Sequence, residues 1–328
     1  MKLRSLTLKN NFLLAPLQNV TTGPFRRFIR HLNEVGLVSV PMLYTKRLAK
    51  NPQSLEDELF KIGEERPISV QLIGNDIDSL KKGIEFLDSY PFDILDLNAG
   101  CPSNRAIKGH YGGFLLKELP RLRSLVEVAL KHSSRPVSLK VRTGFREVMD
   151  VDEFVKSVND ADLEFLTIHG RTVKQRFNDS TIDLDFIKQV KQSINIPLIG
   201  NGDIYDGPTA ENFIQETGVD GLMIGRAAMG NPEIFTQIQK YFETKKPSIS
   251  HKSKEKVREY LTIYESILEE YLVGISLKYS KGHYKFVELK RNAIWFTKNV
   301  PNSTVIRTAL SKTKNLVDLR KTLNEYLN

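Results

Sequence analysis

The chain has 328 residues, and a (β/α)₈ barrel of about 250 residues with an appendage accounts for that length better than two equal halves. Hydrophobic residues at 40% and charged residues at 27% are the proportions of a soluble globular protein, and no stretch approaches the roughly 20 apolar residues that span a bilayer, so no membrane segment is expected. The single cysteine excludes an internal disulfide, and the net charge of +9 lies wholly in the last quarter, because residues 1–243 carry 31 Lys+Arg against 31 Asp+Glu and residues 244–328 carry 17 against 8.

In chain order, the first ten residues alternate Leu3, Leu6 and Leu8 with polar residues. They lack the apolar run and cleavage site of a signal peptide, which predicts an edge strand and a cytoplasmic protein. Eight short apolar runs follow, at residues 12–16, 37–40, 68–72, 94–98, 137–141, 165–169, 197–201 and 222–225. Most are nearly continuous in apolar residues, as in strands covered on both faces. Helical patterns lie at 25–33, 77–89, 122–132, 151–159, 184–193, 208–217 and 232–242, two of them opening on a proline near the first turn. Eight strand-helix units predict an α/β fold closed into a parallel TIM barrel. After Phe242 the alternation stops. Residues 244–254 read as a linker, and apolar residues at helical spacing over 255–271, 284–299, 303–311 and 317–327 predict a small all-α bundle, with 273–281 as a loop. The expected division is a catalytic barrel, 1–243, and a basic helical domain, 244–328. A neutral body with a basic appendage fits a polyanionic partner, since cations that neutralise phosphates gain from counterion release; a solvated helix surface is the plainer alternative.

In this fold the reactive end of the barrel is the carboxyl end of its strands, so polar residues there are the candidates. They are Gln71, Asn98 leading into Gly100-Cys101-Pro102, Lys140 with Arg142, His169-Gly170-Arg171, and Asn201-Gly202-Asp203. Gly200-Asn201-Gly202-Asp203 and Ile224-Gly225-Arg226 occupy the two loops where such barrels commonly bind a phosphate; a sugar phosphate and flavin mononucleotide both remain open. Lys140 can hold a cation against a flavin ring or serve as a Schiff-base amine, while Gln71, Asn98 and Asn201 suit the polar edges of a heteroaromatic ring. Cys101 stands in a loop at the reactive face, where a thiol can act as nucleophile or acid; an acid must hold its proton and needs no activating base.

Taken together, Ala15-Pro16-Leu17, Val70-Gln71-Leu72, Asp96-Leu97-Asn98-Ala99-Gly100-Cys101-Pro102, Lys140-Val141-Arg142-Thr143-Gly144, Ile168-His169-Gly170-Arg171-Thr172, Asn201-Gly202-Asp203-Ile204 and Met223-Ile224-Gly225-Arg226 resemble the tRNA-dihydrouridine synthase family over nearly the whole chain. The resemblance implies an enzyme in which flavin mononucleotide contacts Pro16, Leu17, Gln71, Asn98, Lys140, His169, Asn201, Gly202, Asp203, Gly225 and Arg226. It implies that NADPH reduces the flavin, that hydride passes to C6 of a uridine in tRNA, and that Cys101 protonates C5. Arg142 and Arg171 are expected at the substrate, and Lys290, Arg291, Lys298 and Arg307 on the tRNA backbone. Leu17 departs from the family's usual methionine, with its backbone N–H expected to serve the flavin all the same. No metal is expected, and a monomer is. A flavin barrel acting on a small molecule and a non-catalytic RNA-binding protein are the alternatives; the first leaves the basic tail unexplained.

Overall fold

Eight stretches dominated by leucine, isoleucine and valine form parallel strands in the computed structural model, which describes residues 1–61, 63, 65–178, 182–247, 252–275 and 280–328. They are β1 Phe12–Leu14, β2 Val38–Tyr44, β3 Ile68–Ile73, β4 Ile94–Ala99, β5 Val137–Arg142, β6 Leu166–His169, β7 Leu198–Asn201 and β8 Gly221–Ile224. The ladders run in the order β1-β8-β7-β6-β5-β4-β3-β2. A parallel bridge between Leu13 and Leu37 closes the ring, with Leu14 N–H donating to Leu37 O at 2.8 Å and Gly36 N–H to Phe12 O at 2.9 Å.

The outer layer comprises α1 Gly23–Leu32, α2 Thr45–Lys50, α3 Glu56–Leu59, α4 Ile77–Leu87, α5 Asn104–Lys108, α6 Leu119–His132, α7 Val151–Val158, α8 Leu184–Ser193, α9 Gly207–Thr217, α10 Arg226–Gly230 and α11 Ile234–Thr244. Asp76, Asp150, Asp183 and Asp206 cap α4, α7, α8 and α9, each accepting a backbone N–H three residues on. The short helices α2, α3, α5 and α10 escape the sequence pattern because they are too brief to show a helical period.

Side chains alternate across each strand. Phe12 and Leu14 pack under the helices, whereas Leu13 joins Leu37, Ile94, Phe165, Ile199 and Met223 inside the barrel. Leu3 and Leu8 complete that interior cluster, which corrects the expectation of an edge strand at the start of the chain. Residues 1–8 fold back on themselves through an antiparallel bridge from Lys2 to Thr7. The Glu164 carboxylate holds the turn, accepting from Ser5 N at 2.8 Å, Leu6 N at 2.9 Å and Ser5 Oγ at 2.7 Å. A closed barrel offers no edge to join, while its floor leaves apolar strand ends to be covered.

Beyond α11 the chain forms α12 Lys254–Gly274, α13 Lys281–Phe296, α14 Ser303–Lys312 and α15 Leu316–Leu327. Within the sequence-predicted linker and loop, residues 248–251 and 276–279 lie outside the described residues. Phe28 of α1 meets the rings of Tyr260, Tyr264 and Phe296 at centroid distances of 6.0, 5.5 and 5.2 Å, so the helical region shares a core with the barrel's outer layer. Lys252 adds a polar clasp, donating to the carbonyls that end α10 and α13, Gly230 O and Phe296 O, at 2.6 Å each.

Candidate active site

Register sets which polar side chains share a level inside the barrel. Gln71 pairs with Asp96 and Asp96 with Ser138; one step higher Asn98 pairs with Lys140, and higher again His169 pairs with Asn201. The lower tier is a closed network, with Gln71 Nε2 and Ser138 Oγ donating to Asp96 at 2.6 and 2.7 Å. Burial raises the Asp96 carboxyl above the usual range, against the pull of those hydrogen bonds and of Lys140. The period-2 pattern of polar residues in Ile94-Leu95-Asp96-Leu97-Asn98 was the available signal for Asp96, which sequence reasoning did not single out.

Above this tier opens a cavity of about 400 Å³. Pro16, Leu17, Gln71, Asn98, Cys101, Lys140, Arg142, His169, Asn201, Gly202, Asp203, Gly225 and Arg226 all line it, so one space gathers the thiol and every residue expected at a cofactor. Met42, Ser103 and Tyr205, which no motif announced, line it as well, as do Arg176 and Phe177 of the segment 175–178.

Asn98 shapes the thiol's loop. Its Oδ1 accepts Gly100 N at 3.1 Å and Cys101 N at 2.9 Å, and its Nδ2 donates to Gln71 Oε1 at 2.8 Å. Cys101 is buried, with Sγ 3.4 Å from Ser103 Oγ. Across the cavity Lys140 Nζ donates to Asn201 Oδ1 at 2.9 Å, and Asn201 Nδ2 donates to Met223 O at 2.7 Å, which fixes the amide's orientation. Burial first, and then the charge of Arg142, bring the Lys140 ammonium down to about 8, with Asp96 working the other way.

His169 is buried, and its Nδ1 has no hydrogen-bond partner among the described residues. Burial, helped by Arg142, Lys140, Arg171 and Arg226, pushes the imidazole well below its ordinary value, so the ring is neutral near pH 7. His169 thus lines the cavity as a neutral ring, with the partnerless Nδ1 itself buried.

Of the two arginines expected at the substrate, Arg142 is among the residues lining the cavity and Arg171 is not. Arg142 is buried and braces two loops, donating through Nε to Gly100 O at 2.8 Å and through Nη1 to Thr172 O and Arg176 O at 3.0 and 2.8 Å. Its guanidinium also lies 5.2 Å from the centroid of Phe177, whose other cation is Arg226 at 4.9 Å. Arg171 lies behind the wall, bidentate on Asp203 at 2.9 and 2.5 Å. Asp203 also accepts Tyr205 Oη at 2.8 Å and sits 3.6 Å from Arg226. Burial works upward on its carboxyl, but the hydrogen bonds from Arg171 and Tyr205 and the charges of both arginines carry it below the usual range. Asp203 therefore positions Arg226, and Arg171 positions Asp203. Leu17 N–H is likewise committed, donating to Thr21 Oγ1 at 3.0 Å, so Leu17 meets the cavity with its side chain instead of its amide.

The residues expected on the tRNA backbone lie on α13, just after it, and on α14. Lys290 donates to Ser311 O and Thr313 O at 2.8 and 2.6 Å, and Arg291 is ion-paired with buried Glu288 and lies 5.5 Å from the Trp295 ring. Lys298 and Arg307 are exposed. Arg291 also borders a second groove, of about 730 Å³, between α13 and the loops after β1 and β2.

The family model described as "Dihydrouridine synthase (Dus)" matches residues 13–328. "tRNA-dihydrouridine synthase B" of Pseudomonas syringae pv. tomato is 30% identical over 308 residues, covering 93% of this chain and 88% of its own. "Probable tRNA-dihydrouridine synthase" of Rickettsia conorii is 28% identical over 330 residues, covering 99% and 96%. Among solved structures, morphinone reductase shares the fold, with a TM-score of 0.52 at 14% identity over 72% of this chain and 87% of its own. With a family match that spans the barrel, its lined cavity and the helical region, this chain belongs to the dihydrouridine synthase family.

Proposed function

We propose that the chain is a flavin mononucleotide-dependent tRNA-dihydrouridine synthase. The observation that carries this reading is the convergence of Lys140, a neutral His169 and Cys101 on one cavity. The cavity fits a flavin in kind: its walls are apolar at Pro16, Leu17 and Met223, and its polar groups suit the edges of a heteroaromatic ring. Gly202, Gly225 and Arg226, in the loops after β7 and β8, line the same cavity and suit a phosphate. When bound and reduced at the expense of NADPH, the flavin supplies the hydride taken up at C6 of uracil.

The residues of the chain do the rest. Lys140 and Arg226 present cations to the anionic parts of the cofactor, and Gln71, Asn98, His169 and Asn201 orient its ring. Cys101 holds a proton at Sγ and delivers it to C5 of the base, while the bonds to Asn98 Oδ1 hold the thiol's loop at the cavity. The target uridine must leave its stack to enter, so the enzyme grips RNA outside the mouth. In this reading residues 1–243 are the catalytic domain and 244–328, with the chain's whole charge excess, are a tRNA-binding domain of a cytoplasmic monomer. The test is to incubate the protein with NADPH and unmodified tRNA and to map dihydrouridine by mass spectrometry. Product at a defined position is expected; its absence over a full set of tRNAs, with flavin bound and reducible, overturns the reading.

A further inference from the structure

The loop that follows Cys101 carries an unusual surface feature. His110 is exposed, and its imidazole lies flat on Phe114, with centroids 4.2 Å apart and planes inclined by 7°. Among the described residues no other ring stacks on that imidazole. Phe114 is held from below, edge-on to Phe145 at 5.8 Å, and Lys117 Nζ lies 5.1 and 5.4 Å from the two ring centroids.

The pair is held in place at a backbone cost. His110 has φ +57°, a left-handed conformation that is uncommon for a residue with a side chain. Asn75 Nδ2 pins it, donating to Gly109 O and His110 O at 3.0 Å each. Three residues on, Gly113 N–H donates to Cys101 O at 3.1 Å, so the platform is tied directly to the loop of the thiol.

Its surroundings are basic. In the loops of residues 100–118, 143–150 and 170–178, six cations are exposed, Arg105, Lys108, Lys117, Arg146, Lys174 and Arg176, against two exposed acids, Glu147 and Asp150. These loops follow β4, β5 and β6, whereas the helical region packs on α1 beside β1 and β2.

We infer that the His110–Phe114 stack is a platform for an unpaired base of the RNA substrate, on the side of the mouth opposite the helical region, with the surrounding cations on the adjoining phosphates. An exposed flat ring amid lysines and arginines is the chemistry that holds single-stranded nucleic acid, since every base has a face to stack and each nucleotide a charge to neutralise. The inference rests on the RNA-directed function proposed above. It gives the substrate two anchors flanking the cavity, which is what lifting one base from its stack between them requires.

The test uses a fluorescently labelled, unmodified tRNA transcript and the flavin-loaded full chain. His110→Gly removes the ring and suits a φ of +57°, so the variant folds without the backbone cost. It should raise the Kd for tRNA about tenfold while leaving the slope of log Kd against log salt unchanged, because a stacked base carries no charge. His110→Tyr should keep the wild-type Kd, and Lys117→Ala should lower the salt slope by about 1. Wild-type Kd in His110→Gly overturns the platform and leaves the proposed reaction standing. Loss of binding in that variant, in a wild-type protein that binds tRNA yet forms no dihydrouridine, overturns the reaction and leaves the platform standing.

Discussion

Asn98 and Cys101 act as a unit, because the amide oxygen that accepts Gly100 N and Cys101 N at 3.1 and 2.9 Å decides where the thiol lies. Replacing Cys101 by Ala leaves these backbone bonds intact, so the variant should bind flavin normally and lose about 100-fold or more in the single-turnover rate of uridine reduction, the usual worth of a general acid. An unchanged rate would remove the thiol from the mechanism. Lys140 makes a pH prediction. Burial brings its ammonium down to about 8, and an anion beside it favours the charged form. Below about 8 the cation is already present; above it, binding must take up a proton, so the Kd for flavin mononucleotide should rise with pH from there. Lys140→Met should bind more weakly at pH 7 and lose this part of the pH dependence, as titrations of flavin fluorescence would show.

At the scale of elements, α1 is fixed from both sides. Arg26 and Glu65 form an ion pair with both side chains fully buried, Nε to Oε2 at 2.7 Å, and Arg26 also donates to Thr21 O at 2.9 Å. Taking away the carboxylate strands a buried guanidinium, so Glu65→Ala should cost about 3–5 kcal/mol of stability in urea unfolding. On the other face of α1, Phe28 meets the rings of α12 and α13, and Glu288 of α13 accepts Tyr264 Oη at 2.7 Å and Thr22 Oγ1 at 3.4 Å. The loop after β1 that supplies Pro16 and Leu17 to the cavity is thus anchored to the helical region through Thr22, and damage at either element reaches the cavity wall.

The whole molecule places its charge unevenly and then spends part of it internally. Lys290 caps the carbonyls at the end of α14, and Arg291 neutralises Glu288, so neither charge is simply displayed. Lys298 and Arg307 are the two of the four that are exposed. Neutralising both should weaken tRNA binding across sequences and lower the salt slope by about 2, whereas Lys290→Ala should leave the slope alone and lower the unfolding midpoint. Filter binding over a series of salt concentrations separates the two outcomes.

The strands, the long helices and the reactive end of the barrel were legible in the sequence because they depend on local period and composition: apolar runs such as 137–141, helical spacing such as 184–193, and polar residues left at strand ends. The motifs at Asn98, Cys101, Lys140, His169 and Asn201 marked the cavity before its walls were known, since a parallel barrel sends every strand end to the same face. Tertiary structure alone decided what register and packing decide. It turned Asp96 inward beneath Lys140, gave the amide of Leu17 to Thr21, set Arg171 behind Asp203, and folded residues 1–8 under the barrel floor. It also brought His110 onto Phe114 and Phe177 between two arginines. Those relations join residues from different loops or through one particular backbone turn, and no local periodicity encodes which side chain will meet which across the mouth of a closed barrel.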